Sequence, residues 1–333
     1  MNKKITRIMC YILAFMIFAV GLSVYLFPLV NRAITKDNID FNLNSFRYIR
    51  AVDNGENSVR NTTQNAEHNE KDLSKAPVIP YDKSNVDLHK YDLLYEALGD
   101  YNQKIFANGQ SGLKDAWAYE QAPFDLTKYG IDNNILAELR IPAIDCDLPL
   151  YLGATMYNMA WGAAQLGQTS MPIGGKNTNC VIAAHRGCSN GKFFLEIQKM
   201  KIGDKVYLDN LWETLTYKVT EIKVIAPDEI NKVLIQKDKD MVTLITCHPY
   251  PQNYQRYVVY CERTTDDAPD ENKTATEPTQ NYSEIADIDN SSEKFIRLEE
   301  ILVVLVPVLL ALLTLVLGLL RYIRTKKKQK KAV

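Results

Sequence analysis

Histidine is scarce in this chain of 333 residues, which holds four, at 68, 89, 185 and 248. Any imidazole that moves protons must be one of these, and His68 and His89 stand in polar surroundings upstream of the ordered-looking part of the sequence. Positive charge is also missing from the body of the chain. The net charge is −1, yet residues 1–7 and 321–333 carry three and seven positive charges, so residues 8–320 carry about −11. Phosphate binding needs a basic face, and nucleic acid is excluded as an expected partner. There is no internal repeat, which excludes a solenoid.

Charge of either sign is absent from two long runs. IMCYILAFMIFAVGLSVYLFPLV at 8–30 and ILVVLVPVLLALLTLVLGLL at 301–320 are apolar throughout. At about 1.5 Å per helical residue each is long enough to cross a hydrocarbon core of about 30 Å. Pro307 is tolerable inside a membrane helix, where neighbouring groups satisfy the freed carbonyl. No small-x-small cleavage site follows the first run, which argues against a removed signal peptide. Basic residues flank both runs on their outer sides, at 1–7 and 321–333, so both termini are expected in the cytoplasm and everything between the spans outside the cell.

Between the spans, residues 31–88 are polar and read as an extracellular arm, while the acidic, core-poor residues 264–300 read as a linker. In HKYDLLYEALGDYNQKIFANG, Leu94, Leu98, Tyr101 and Ile105 recur at helical steps, and Gly109 suits the helix end. From about 135 the texture becomes short β-rich runs: ILAELRIP, LPLYLG, NCVIAAH, KVYLDN, TLTYKVTEIKVIA, MVTLITC and RYVVYCER. No regular helix separates them, so a mainly β barrel or sandwich is predicted instead of a parallel α/β sheet. The shift of apolar positions from 215, 217 and 219 to 222 and 224 predicts a bulge.

Six cysteines stand at 10, 146, 180, 188, 247 and 261, the first inside a predicted span. Five outward-facing cysteines are an odd number, so at least one is a free thiol or pairs with another molecule. Cys146, Cys180 and Cys261 sit in or beside β-rich runs and read as small core residues. Cys180 and Cys188 flank the turn at His185 and are one conceivable disulfide pair. Cys247 differs in closing the apolar run MVTLIT, as His185 closes NCVIAA. If the two strand ends adjoin, thiol and imidazole form a nucleophile with its acid/base partner. Arg256, nine residues after Cys247, could reach an oxyanion from an adjacent antiparallel strand. Arg186 and Arg263 are rivals for that role.

TLITC, the AAHRG around His185 and the downstream Arg256 together resemble the sortase family of bacterial cysteine transpeptidases. IPAIDCDLPLYLGA, TSMPIGGKNTNCVIAAHRG and KIGDKVYL resemble it in the same order, so the similarity covers residues 89–263. The resemblance implies a closed sortase-type β-barrel with short helices, flanked here by two transmembrane helices. It makes His185, Cys247 and Arg256 the catalytic residues and requires no cofactor and no metal. A second span after the barrel, and a helix before it, look like class C, the pilin-polymerising branch. Those enzymes cleave a Leu-Pro-x-Thr-Gly-like signal through a cysteine thioester and pass the acyl group to a pilin lysine. A housekeeping enzyme that uses a peptidoglycan-precursor amine is the alternative.

Class C members usually carry an Asp-Pro-aromatic lid. Asp115-Ala116-Trp117 keeps the acid and the aromatic without the proline, whereas Pro123-Phe124 keeps the proline without the acid. Asp115 and Trp117 are the candidate lid residues; the competing reading packs Trp117 in a core beside Tyr119. Thr246 and His248, on either side of the thiol, are candidates for holding substrate. Outside the family, His185 with Cys188 and Cys247 with His248 would form a zinc-stabilised binding module, although neither spacing is a strong zinc signature. A non-catalytic membrane-tethered scaffold is the other reading.

Overall fold

The computed structural model describes residues 3–53, 88–187 and 191–265, with helical residues scattered between 294 and 314. Cys188, most of the 264–300 linker and the basic tail lie outside the described residues. The chain divides into two units, one of Met1–His248 with Tyr254–Thr279 and one of Pro249–Asn253 with Gln280–Val333. Among the described residues no helix is long and apolar enough to cross a membrane.

Eight strands form a closed barrel in the order β1-β2-β3-β4-β7-β8-β6-β5, with β5 returning to pair with β1. They are β1 Ile135–Ile141, β2 Cys146–Leu152, β3 Ala163–Gln165, β4 Thr178–Ala183, β5 Lys205–Asn210, β6 Thr214–Ile225, β7 Asp240–His248 and β8 Gln255–Arg263. Closure leaves no free strand edge. The β6–β8 pairing slips between Val219 and Glu221, the bulge expected from the shift in apolar positions. Most pairings are antiparallel, but β2–β3 and β4–β7 run parallel, and β4 and β7 are buried along almost their whole length.

Helix α1, Lys3–Asp53, contains the first apolar run and continues well beyond it. Residues 31–53, which the sequence places in a polar arm, are therefore helical and dock on the barrel; residues 54–87 lie outside the described ones. Thr35, Ile39, Leu43 and Phe46 form the buried stripe, at steps of four, four and three. Polar contacts flank it. Asn42 Nδ2 donates to Tyr151 Oη at 2.9 Å, and Arg47 grips buried Glu138 and reaches Asp147 at 2.8 Å. Arg50 Nη1 donates to Asp209 at 3.0 Å. Phe46→Ala should remove the central anchor at a cost of about 3–5 kcal/mol, read as a lowered denaturant midpoint of the full chain.

The predicted helix before the barrel is α2, Leu88–Ala107, whose Tyr91, Leu94, Leu98, Tyr101 and Ile105 are buried in one cluster with Phe46, Leu152 and Leu211. Asn102 fastens it by exchanging hydrogen bonds with Met171, accepting from its N–H at 2.7 Å and donating to its carbonyl at 3.4 Å. The chain leaves α2 through Gly109 at φ +62°, a conformation that favours glycine. A short helix α3, Met156–Trp161, capped by the Thr155 side chain on Asn158 N–H, joins β2 to β3.

Candidate active site

The carboxyl end of β4 lies beside that of β7. Their parallel register runs to Ala183↔Ile245, and continuing it residue for residue sets His185 opposite Cys247. On the other side of β7, Cys247 is the direct antiparallel partner of Arg256 on β8. Neighbouring β7 and β8 thus set the Cys247 thiol beside the Arg256 guanidinium, and the His185 imidazole follows two residues after the end of β4, the strand on the other side of β7.

Residues 115–119 cover this rim. Asp115 caps the 3-10 turn Ala116–Ala118 by accepting from Trp117 N–H at 3.2 Å. The same carboxylate takes Arg256 in a two-point grip, Nε to Oδ1 and Nη2 to Oδ2, both at 2.8 Å. The Trp117 ring centre is 4.5 Å from the Arg256 guanidinium carbon and 6.2 Å from the His185 ring centre, edge to face. Trp117 and Tyr119 also pack against the apolar cluster that contains Ala116, Ala183 and Ile245. Trp117 therefore has the core packing beside Tyr119 expected in one reading of the sequence, and it also lies against Arg256 and His185.

The cover sets the local electrostatics. Burial pushes the Cys247 thiol up to about 12; Arg256 opposes this, Asp115 adds to it and Arg186 opposes it. Burial also lowers His185. Both shifts disfavour the charged form of the group concerned.

Two candidates stand elsewhere. Thr246 is fully buried, its hydroxyl donating to Ala184 O at 2.7 Å, so it bridges β7 to the segment that follows β4. His248 is 1% exposed, with Nδ1 on Arg186 Nη1 at 2.7 Å. Neither lines the rim, because residues adjacent to Cys247 in a strand point to the opposite face. Of the rival arginines, Arg263 lies near Asp240 and Glu213, and Arg186 holds His248 and Gln198. Cys146, Cys180 and Cys261 are buried free thiols, all raised by burial. Tyr119 was overlooked as a site neighbour; it sits in the left-handed region at φ 56°, and its hydroxyl is raised by burial, then by Cys247 and Asp115. Among the described residues no cluster of three or more His, Cys, Asp and Glu is assembled.

A protein-family model described as "Sortase domain" matches residues 139–264. Sortase A of Bacillus anthracis is 33% identical over 125 residues, 38% of this chain and 58% of that protein. Sortase A of Listeria monocytogenes is 33% identical over 129 residues, 38% of this chain and 56% of that protein. The chain therefore spans little more than half the length of these curated relatives. The crystal structure of Streptococcus agalactiae sortase C1 in complex with MTSET is similar at 31% identity and a TM-score of 0.50, covering 54% of this chain and 93% of that one.

Proposed function

The chain belongs to the sortase family, and from that premise we propose that it is a membrane-anchored cysteine transpeptidase that joins a sorting-signal-bearing protein, a pilin, to a lysine amine of the next pilin. The observation that supports this reading is the direct pairing of Cys247 with Arg256 on β7 and β8, with His185 just past the end of neighbouring β4 and Trp117 against both Arg256 and His185.

The chemistry runs in two acyl transfers. Cys247 sulfur, its proton passing to His185, attacks the threonyl carbonyl of a Leu-Pro-x-Thr-Gly-like signal. Arg256 donates to the oxyanion and orients the signal. Collapse breaks the Thr–Gly bond, His185 protonates the departing glycine amine, and a thioester remains on Cys247. An incoming lysine amine then attacks the thioester, losing a proton to His185, and thiolate leaves with the isopeptide bond formed. Before substrate enters, Trp117 lies against Arg256 and His185 and shields the site from water. Asp115 holds the Nε–Nη2 edge of the Arg256 guanidinium, and residues 115–117 act as a lid that swings away when substrate enters, freeing that edge.

The 8–30 and 301–320 runs supply the anchor, with the barrel outside the cell and both termini in the cytoplasm. The test uses the full chain in detergent with a signal peptide. Mass spectrometry should find the acyl group on Cys247, released by a lysine-bearing pilin segment; release only by a peptidoglycan-precursor amine would make the enzyme a housekeeping anchor instead. No adduct at any time would remove the reading.

Asp115→Ala tests the lid. It deletes two charge-assisted hydrogen bonds to Arg256, together about 2 kcal/mol or more, which shifts the open population about tenfold or beyond. Cys247 should then react at least about tenfold faster with iodoacetamide at neutral pH. In the parent the reaction should be slow at pH 7 and accelerate as pH rises towards the elevated thiol pKa, because only the thiolate attacks.

A further inference from the structure

His185, Cys247 and Arg256 are each followed in the chain by a buried residue, Arg186, His248 and Tyr257; in β7 and β8 the pleat turns that follower to the opposite face. These three also meet. Arg186 Nη1 lies 2.7 Å from His248 Nδ1, the Arg186 guanidinium stands 5.6 Å from the Tyr257 ring centre, and the His248 and Tyr257 rings are 5.6 Å apart. All three are buried. A guanidinium only donates, so Nδ1 must accept and the neutral imidazole carries its proton on Nε2. Burial, reinforced by the Arg186 charge, lowers His248 to about 4 and keeps the ring in that acceptor form at neutral pH. Arg186 is itself held from behind, its Nη2 donating to Gln198 Oε1 at 2.7 Å.

The position of this contact matters because β4 has ended. Its last regular pair with β7 is Ala183↔Ile245, followed by Ala184 N–H to Ile245 O at 3.3 Å and Thr246 hydroxyl to Ala184 O at 2.7 Å. At the level of His185 and Cys247 the strand ladder has given way, and the Arg186–His248 bond ties the two segments one residue farther on. We propose that Arg186 and His248 are positioning residues, a clasp on the hidden face of the sheet that holds the His185 imidazole in register with the Cys247 thiol. The proposal rests on the reading of His185 and Cys247 as the acid/base and nucleophile. The clasp touches neither substrate nor the reacting atoms.

His248→Asn and His248→Gln separate a positioning role from a purely structural one. Both are polar and of similar bulk, but the Asn carbonyl oxygen stands where Nδ1 stood, within reach of Arg186, whereas the Gln oxygen falls near the place of Nε2. Full-length variants in detergent are assayed for transfer of a signal peptide to a lysine amine. His248→Asn should keep kcat within about threefold of the parent. His248→Gln should lose about 10- to 100-fold in kcat with KM within about threefold, the scale expected for an ångström-sized misplacement of reacting groups. Equal kcat in the two variants, or a loss for Gln that appears in KM alone, overturns the clasp. Cys247→Ala run in parallel keeps the two readings apart: residual transfer there refutes the catalytic assignment, whereas a dead Cys247→Ala with indistinguishable Asn and Gln variants refutes only the clasp.

Discussion

Cys247→Ala should abolish transfer of a sorting-signal peptide to an amine, lowering kcat by about 10⁴-fold or more, the scale seen when a covalent nucleophile is removed from an enzyme that works through an acyl intermediate. Among the described residues no neighbouring group is placed to substitute. The Thr246 hydroxyl is committed to Ala184 O on the other face, and Cys180 and Cys261 are buried thiols with raised pKa values. His185 and Arg256 would remain in place but could at most polarise the scissile carbonyl. The fold should survive, because the change removes one sulfur at a site already covered by Trp117 and costs about 1 kcal/mol. The measurement is chromatographic separation of cleaved and transferred peptide, with thermal midpoints alongside. Undiminished transfer by a folded Cys247→Ala chain would sink the cysteine mechanism.

The ends of the strands were the most legible part of this protein. Apolar runs announce β4, β7 and β8, and the chemically active residues at their margins stand out: His185 just after β4, Cys247 near the end of β7 and Arg256 near the start of β8. β3 escaped notice because Ala163–Gln165 is three residues long with no β-branched or aromatic side chain; it is a strand only because β2 and β4 lie on either side. The docked half of α1 was hidden for a different reason. Its contact face mixes Leu43 and Phe46 with Asn42, Arg47 and Arg50, and those polar groups read as solvated until Glu138, Asp147 and Asp209 are brought to them from more than ninety positions away. Thr246 and His248 were drawn to the rim by adjacency to Cys247, whereas in a strand adjacency means the opposite face. Asp115 was recognisable by type, but its grip on Arg256 depends on a loop path that local sequence does not encode.

Arg256 is where the lid and the chemistry compete for one side chain, so its substitution should pull reactivity and turnover in opposite directions. In Arg256→Ala the oxyanion loses its charged donor, and kcat/KM should fall about 10²- to 10³-fold. The thiol responds to two opposed changes. Loss of the guanidinium removes a downward pull on the Cys247 pKa, which slows alkylation; loss of the Asp115 grip and of the Trp117 stacking frees the lid, which speeds it. Burial is the largest contribution to the elevated thiol pKa, so exposing the site should win and iodoacetamide should react faster than in the parent even as turnover collapses. Arg256→Lys should recover no more than about tenfold of the lost activity, since an ammonium cannot reproduce the two-edged fork that meets Asp115 and stacks on Trp117. Parallel alkylation and turnover measurements decide it. If both fall together in Arg256→Ala, the Asp115 contact does not keep the site closed, and Arg256 acts on the thiol by charge alone.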